Sequence, residues 1–266
     1  MAILKRWNGS IYTPARRVLY WNGSSWVERC KKYWTGSTYA VAVTKELWVD
    51  DYVRGLWHLN EGSGTNAYDA SGNGLTMHWG EYQESERPIW QSGGKPGWGA
   101  LAFDMKRASI NYSPHWNFGG GPFTIEAWVS GGGVRGNNEI VIGRYSGTTS
   151  WWLGYQENTG YPEFLLRNSA GTLKTIVWPS NIHTEAWHYL AAIKGSTHMR
   201  LFVDGTERVN DTHPGGSYDH ASAGLQIGWY AGWNDYPSGF NLGELRLSHG
   251  IERLSTEIGS IWNANN

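Results

Sequence analysis

The chain of 266 residues contains one cysteine, Cys30, so no intrachain disulfide can staple it. Charged residues make up only 17% of it, and the formal net charge is -1. That balance gives no global electrostatic pull toward nucleic acid or an anionic membrane. No stretch approaches the roughly 18 apolar residues of a membrane-spanning helix, so membrane insertion is not expected. The start, Met1-Ala2-Ile3-Leu4-Lys5-Arg6-Trp7-Asn8-Gly9, also lacks the run of roughly 7–15 apolar residues that a secretory signal needs. The expectation is synthesis in a cytoplasm with no export route of its own. Recognisable chemistry is equally sparse. The histidines are scattered, without the His-x-His or His-Glu-x-x-His spacing of zinc sites. A Gly-x-Ser-x-Gly elbow, a Cys–His pairing signal and a phosphate loop are missing too.

Glycine and tryptophan are abundant instead, with 36 and 18 copies. Many glycines with many aromatics and few long helix formers predict short strands joined by tight turns. Tryptophan fills sandwich cores, but its flat face and single N–H also suit a sugar ring. Composition alone does not divide the tryptophans between those uses.

Residues 1–46 carry an internal repeat. Trp7-Asn8-Gly9-Ser10-Ile11-Tyr12 recurs as Trp21-Asn22-Gly23-Ser24-Ser25-Trp26 and, more loosely, as Trp34-Thr35-Gly36-Ser37-Thr38-Tyr39. Asn-Gly between apolar runs is a strong hairpin signal, and aromatics on either side can pair across the turn. Such small hairpins bury little surface alone, which predicts a docking or oligomerisation segment. A strand appendage folded back on the main domain is the alternative.

From residue 47 to 266 the pattern becomes one of longer alternation, typified by Phe123-Thr124-Ile125-Glu126-Ala127-Trp128-Val129. Further strands are predicted over 139–145, 150–155, 163–167, 173–178, 187–194 and 198–203. Turns such as Asn168-Ser169-Ala170-Gly171 and Asp204-Gly205 separate several of them. Many short strands at short intervals read as an all-β sandwich. The tail from Ser255 places Ile258, Ile261 and Trp262 at helical spacing behind a Ser cap, so one terminal helix is expected.

One loop stands out. Trp229-Tyr230-Ala231-Gly232-Trp233-Asn234-Asp235-Tyr236-Pro237 falls between two predicted strands and combines four aromatics with Asn and Asp. An apolar platform with a few polar groups suits a sugar, which makes Trp229, Tyr230, Trp233, Asn234, Asp235 and Tyr236 glycan-binding candidates. Packing against Trp151-Trp152 or a neighbouring subunit explains the same residues equally well. Trp151 and Trp152 point to opposite faces of one strand, so one is expected in the core while Trp152 joins the candidates.

Several blocks, in order, resemble the laminin-G-like branch of the concanavalin A-like jelly rolls. They are Leu56 to Gly64 with Tyr68 to Gly74, Trp98 to Asp104, Phe123 to Val129, Trp187 to Ile193, Arg200 to Gly205, Leu225 to Gly228 and Phe240 to Ser248. The resemblance covers about residues 47 to 263 and implies a jelly-roll sandwich used mainly to hold glycans. It also implies a structural Ca²⁺ bound by Asp69, Asn73 and Glu244 with backbone carbonyls, since a hard cation takes oxygen ligands. An Asx-turn, in which Asp69 and Asn73 bond their own backbone, accounts for the same residues. Glycoside hydrolases of related fold carry a Glu-x-Asp-x-x-Glu strand motif, which is absent here; Glu126 stands alone on its strand. The chain is therefore expected not to be an enzyme.

The Trp-Asn-Gly-Ser hairpins resemble N-terminal segments of bacteriophage minor tail and tail-fibre proteins. This implies a virion protein, made in the host cytoplasm, whose partners are other tail proteins and a cell-surface polysaccharide. A homo-oligomer is expected, with a trimer as the first guess. Alternatives are a purely structural tail-assembly protein and a glycan-processing enzyme.

Overall fold

The computed structural model describes residues 47–265, apart from 96–98, 132–135, 146 and 230–238, together with the strand backbone within residues 1–46. That N-terminal backbone forms three two-stranded antiparallel ribbons: β1 (Lys5–Trp7) with β2 (Tyr12–Pro14), β3 (Val18–Trp21) with β4 (Trp26–Arg29), and β5 (Lys32–Trp34) with β6 (Tyr39–Val41). In each, the residues closest to the turn are aromatic and directly opposed: Trp7 with Tyr12, Trp21 with Trp26, and Trp34 with Tyr39. Each repeat thus contributes one two-stranded antiparallel ribbon.

The rest of the chain builds two antiparallel eight-stranded sheets. The first uses β7 (Val53–Trp57), β10 (Ile89–Gln91), β11 (Ala100–Asp104), β13 (Phe123–Gly131), β18 (Trp187–Lys194), β19 (His198–Val203), β20 (Thr206–Thr212) and β22 (Gly239–His249). The second runs in the spatial order β17 (Leu173–Val177), β16 (Pro162–Arg167), β15 (Ser150–Tyr155), β14 (Glu139–Tyr145), β21 (Leu225–Ile227), β12 (Ala108–Ile110), β9 (Met77–His78) and β8 (Asn66–Ala67). Strand β22 organises the first sheet. Its long course pairs with β13 along one edge, and with β11 and then β7 along the other.

Alternation decides what each face buries. Trp57, Phe103, Phe123, Ile125, Leu245 and Leu247 from the first sheet meet Ile142, Trp151, Leu153, Phe164 and Leu166 from the second in the main core. The other face of the first sheet is also covered. There Leu56, Trp128, Tyr189, Ile193 and Phe202 pack with Leu47–Val49 and with Ile258 and Ile261 of α1 (Ser255–Asn265). Burial on both faces explains why every residue of β13 is sealed, and why its polar members need built-in partners.

The expected turn at Asp204-Gly205 is a two-residue hairpin between β19 and β20, with φ of 54° and 74°. Positive φ at both positions is the mirror-image turn that suits strand twist, and Asp and Gly tolerate it. Asp204 also accepts bonds from the Tyr189 amide at 3.0 Å and shares one of 2.8 Å with His188. His188 is thus part of the hairpin's fastening.

Candidate functional site

The outward face of the second sheet carries the most distinctive surface. Strand register aligns one residue from each of its strands in a single transverse row: Asn66, His78, Ser109, Gln226, Gly143, Trp152, Leu165 and Thr175. Their chain neighbours, among them Ala67, Met77, Ile110, Leu225, Ile142, Leu153, Phe164 and Ile176, point into the core. The row is mostly amides, hydroxyls and an imidazole, with one large aromatic in the middle. That is the composition a polyhydroxylated ligand requires.

At the β9–β12 side, Arg107 lies 4.2 Å from the centre of the Tyr82 ring and 5.3 Å from that of Trp229. The two rings meet edge to face at 6.4 Å. The Trp229 indole donates to the Ala108 carbonyl at 3.1 Å, Arg107 pairs with Glu86 at 2.8 Å, and Tyr82 shares a short hydrogen bond with Ser109 of the row. Trp229 is thus fixed and half-buried beside the row. The other loop candidates, Tyr230, Trp233, Asn234, Asp235 and Tyr236, lie outside the described residues.

Trp151 and Trp152 divide as alternation predicts. Trp151 stacks near Phe118 and Phe123 in the core, with ring centres 5.8 and 5.7 Å away. Trp152 faces outward, but it is only 3% exposed, so it is not the open contact that the sequence suggested. Two flanking glycines lie beside it in the sheet. A Cβ on Gly143 would stand 2.7 Å from that of Trp152, and one on Gly154 would strike the Glu139 carbonyl. Only glycine permits these approaches.

Glu163 was not singled out by sequence, yet it is the most unusual group on this face. It sits opposite Gly154 and Val177, on the same face as Trp152. It is 3% exposed, and its Oε1 has no hydrogen-bond partner. Burial, helped by the charge of Glu157, pushes its pKa up to about 8. The only sequence signal is a carboxylate directly before the run Phe164-Leu165-Leu166, which by itself reads as ordinary alternation.

The three residues expected to hold calcium are not gathered into one oxygen cluster. Asp69 uses both carboxylate oxygens on its own turn and on β7, accepting from the amides of Leu56, Ser71 and Leu75 and from the Ser71 hydroxyl at 2.7–3.1 Å. Asn73 donates its side-chain amide to the Arg54 carbonyl. Asp69 grips the edge of β7 that faces away from β22, whereas Glu244 belongs to β22. Glu244 is fully buried, accepting from the Leu47 amide at 2.8 Å and meeting His58 Nδ1 at 2.5 Å. The arrangement does not fit a shared ion. Among the described residues, no group of three or more His, Cys, Asp and Glu could hold a metal.

Glu126, alone in the sequence, is not alone in space. Two hydrogen bonds of 2.6 Å from Arg246 and one of 2.5 Å from the Tyr189 hydroxyl saturate it. Arg246 also donates to the Trp48 carbonyl, and Arg253 joins Asp50, Glu257 and Ser248 nearby. These charges clamp residues 47–50 and α1 to the first sheet.

A family model described as the concanavalin A-like lectin/glucanases superfamily matches residues 106–258. No curated protein sequence matches the chain. Among solved structures, the binding domain of Paraclostridial Mosquitocidal Protein 1 is similar with a TM-score of 0.65 and 12% identity, covering 80% of this chain and 52% of that one. The botulinum neurotoxin serotype G binding domain gives 0.62 and 14%, covering 78% and 50%. The serotype D ligand binding domain, solved in complex with N-acetylneuraminic acid, gives 0.61 and 13%, covering 80% and 51%. The chain spans about half the length of these structures, and at such identity the likeness is one of fold.

Proposed function

The chain belongs to the concanavalin A-like lectin/glucanases superfamily, and from that membership we propose that it is a non-catalytic, glycan-recognising protein of a bacteriophage tail. The observation that carries the glycan reading is the transverse row on the second sheet, whose polar members Asn66, His78, Ser109 and Gln226 lie beside the Tyr82–Arg107–Trp229 stack. Hydroxyls and amides can exchange hydrogen bonds with sugar hydroxyls, while an indole face covers sugar C–H groups. The sialic acid complex of the serotype D toxin domain supports the choice of ligand class by analogy of fold, which alone does not decide function.

Two buried carboxylates favour binding over hydrolysis. Glu126 is saturated by Arg246 and Tyr189, and Glu244 is held by Leu47 and His58. Neither is poised as the acid or base of a glycosidase pair.

The tail assignment rests on the Trp-Asn-Gly-Ser repeats. Three two-stranded ribbons of three or four residues per strand bury little on their own, which suits a segment that docks on other tail proteins or on copies of the same chain. In a virion, a homo-oligomer, with a trimer as the first model, would turn weak single-site binding to cell-surface polysaccharide into avid attachment.

The test is a glycan array and a host cell-wall pull-down with the full chain and with His78→Ala, which removes a half-buried polar member of the row. Retention of wild type with loss of the variant is expected. A blank array, with assembly impaired in the variant, would instead identify a structural tail protein; turnover of a polysaccharide would identify an enzyme.

A further inference from the structure

We propose that Arg54, His115 and His249, at the end of the sandwich where β7 begins and β22 finishes, form a subsite for the carboxylate of an acidic sugar in the bound polysaccharide. This inference rests on the glycan reading above and names the class of sugar that the protein selects.

Long-range contacts bring the three side chains to one place. The His249 amide donates to the Tyr52 carbonyl at 2.8 Å, which sets the end of β22 against the start of β7. The segment that follows β12 then crosses both strands. Its Trp116 packs on Trp57 of β7, with ring centres 6.3 Å apart, and its Phe118 on His249, at 5.2 Å. His115 lies between those anchors, in the short helical turn Pro114–Trp116. The same segment starts from Asn111, whose side chain bonds His78 of the transverse row at 3.1 Å. A polysaccharide lying on the row can thus continue to this end past Tyr112, which is 39% exposed.

The groups are open to solvent. His115 is exposed, Arg54 and His249 are half-buried, and Tyr52 beside them is 43% exposed. The Arg54 guanidinium donates from Nη1 to the carbonyls of Asp51 and Val53, at 3.0 and 3.5 Å. Those are neutral acceptors, and they leave the rest of its fork for a ligand. The acids within electrostatic reach are held by other donors. Asp69 accepts four hydrogen bonds from its own turn and β7, and Asp219 accepts from the Gly119 amide at 2.7 Å.

Charge then selects the ligand. Partial burial, and after it the charge of Arg54, holds both imidazoles below their ordinary value of 6.5. Asp69 pulls the other way on His115, as do the Phe118 carbonyl and Asp219 on His249. At neutral pH the three groups therefore carry the one charge of Arg54. A sugar carboxylate matches that charge, and its two oxygens match the planar fork of the guanidinium. A phosphate monoester, at about -1.5 to -2, does not. The neutral His115 ring adds an N–H donor, and the Tyr52 ring offers an apolar face to sugar C–H groups. As pH falls the rings gain charge, which strengthens the hold on a carboxylate.

The experiment titrates the full chain over an array of oligogalacturonates and sialylated oligosaccharides, each beside its methyl ester and beside neutral glycans. The ester keeps the sugar and removes only its charge. At neutral pH an acid is expected to bind about tenfold more tightly than its ester, the equivalent of one charged contact. The preference should grow when the array is read about two pH units lower, as the imidazoles protonate. Arg54→Gln should erase the preference and leave ester binding unchanged, with melting curves to show that the variant is folded. His115→Gln, on the exposed turn, should keep the preference at neutral pH and shrink its growth in acid. Equal binding of acid and ester, a preference that survives Arg54→Gln, or a growth in acid untouched by His115→Gln overturns the inference while leaving glycan binding intact. A blank array removes the glycan reading itself, and the inference with it.

Discussion

Glu126 of β13 and Arg246 of β22 stand directly opposite each other in the sheet, fully buried, and are joined by two hydrogen bonds of 2.6 Å. Burial pushes the Glu126 pKa up, but the charge and hydrogen bonds of Arg246 outweigh it, so the net direction is down. Through the Trp48 carbonyl the same guanidinium holds the segment that leads into the sandwich.

Removing one partner of such a pair strands the other. Arg246→Met is expected to cost about 3–5 kcal/mol in urea denaturation, because Glu126 is left buried and charged. The double variant Glu126→Leu with Arg246→Met should recover most of that loss. A double variant as unstable as the single would mean that the pair's other bonds, not its charge, hold the strap.

Two buried glutamates should respond to pH with opposite sign. Glu126 is depressed when folded, so its contribution is present above the ordinary carboxylate value of 4.5 and is lost as pH falls through its lower folded value. Glu163 is raised to about 8, so the folded state holds a proton that the unfolded chain has released above 4.5. Stability therefore declines as pH rises from 4.5 toward 8. Glu163→Gln should flatten that decline and stabilise the protein by about 2 kcal/mol or more near pH 9, read from melting curves across pH. An unchanged slope would show that Glu163 ionises freely in the folded protein.

Adjacent tryptophans should behave differently. Trp151→Ala opens a void among Phe118, Phe123 and Leu166 and is expected to cost about 3–5 kcal/mol. Gly143→Ala should also destabilise, because its new methyl would meet the Trp152 Cβ at 2.7 Å between paired strands. Measured by denaturation, a neutral Gly143→Ala would mean that the two strands separate there easily.

The Asp69 turn is satisfied by its own hydrogen bonds, so chelation with EDTA should leave the melting temperature unchanged. Asp69→Ala, which severs four hydrogen bonds, should lower stability by roughly 2 kcal/mol or more. A melting point that falls with EDTA and is restored by calcium would contradict this geometry.

The ribbons of residues 1–46 can be tested by light scattering. The full chain is expected to be oligomeric, and residues 47–266, which carry both cores, monomeric. Equal stoichiometry would take the oligomerisation role away from the ribbons.

Much of the fold was legible because its information is local. Alternation marked β14, β15, β18 and β19 to the residue, Asp204-Gly205 marked the turn that follows β19, and Ser255 marked the helix start. Strand β20 was missed. Its sequence, Thr-Glu-Arg-Val-Asn-Asp-Thr, has no apolar face because it lies at the sheet edge, and the turn before it supplies its register. The aromatic loop was visible as composition, but its neighbour Arg107 and the carboxyl of Glu163 were not. Each looks like an ordinary strand residue until the opposing strands are known.

By itself, the sequence determined an all-β sandwich, its hairpin repeats and the opposite facing of Trp151 and Trp152, since period and turn chemistry are properties of neighbouring residues. Tertiary structure alone decided that Glu126 has a cation and Glu163 has none among the described residues. Arg246 lies 120 residues from Glu126 and reaches it only because β22 pairs with β13. Whether a buried charge is neutralised depends on which strands lie side by side, and long-range pairing is what local pattern cannot specify.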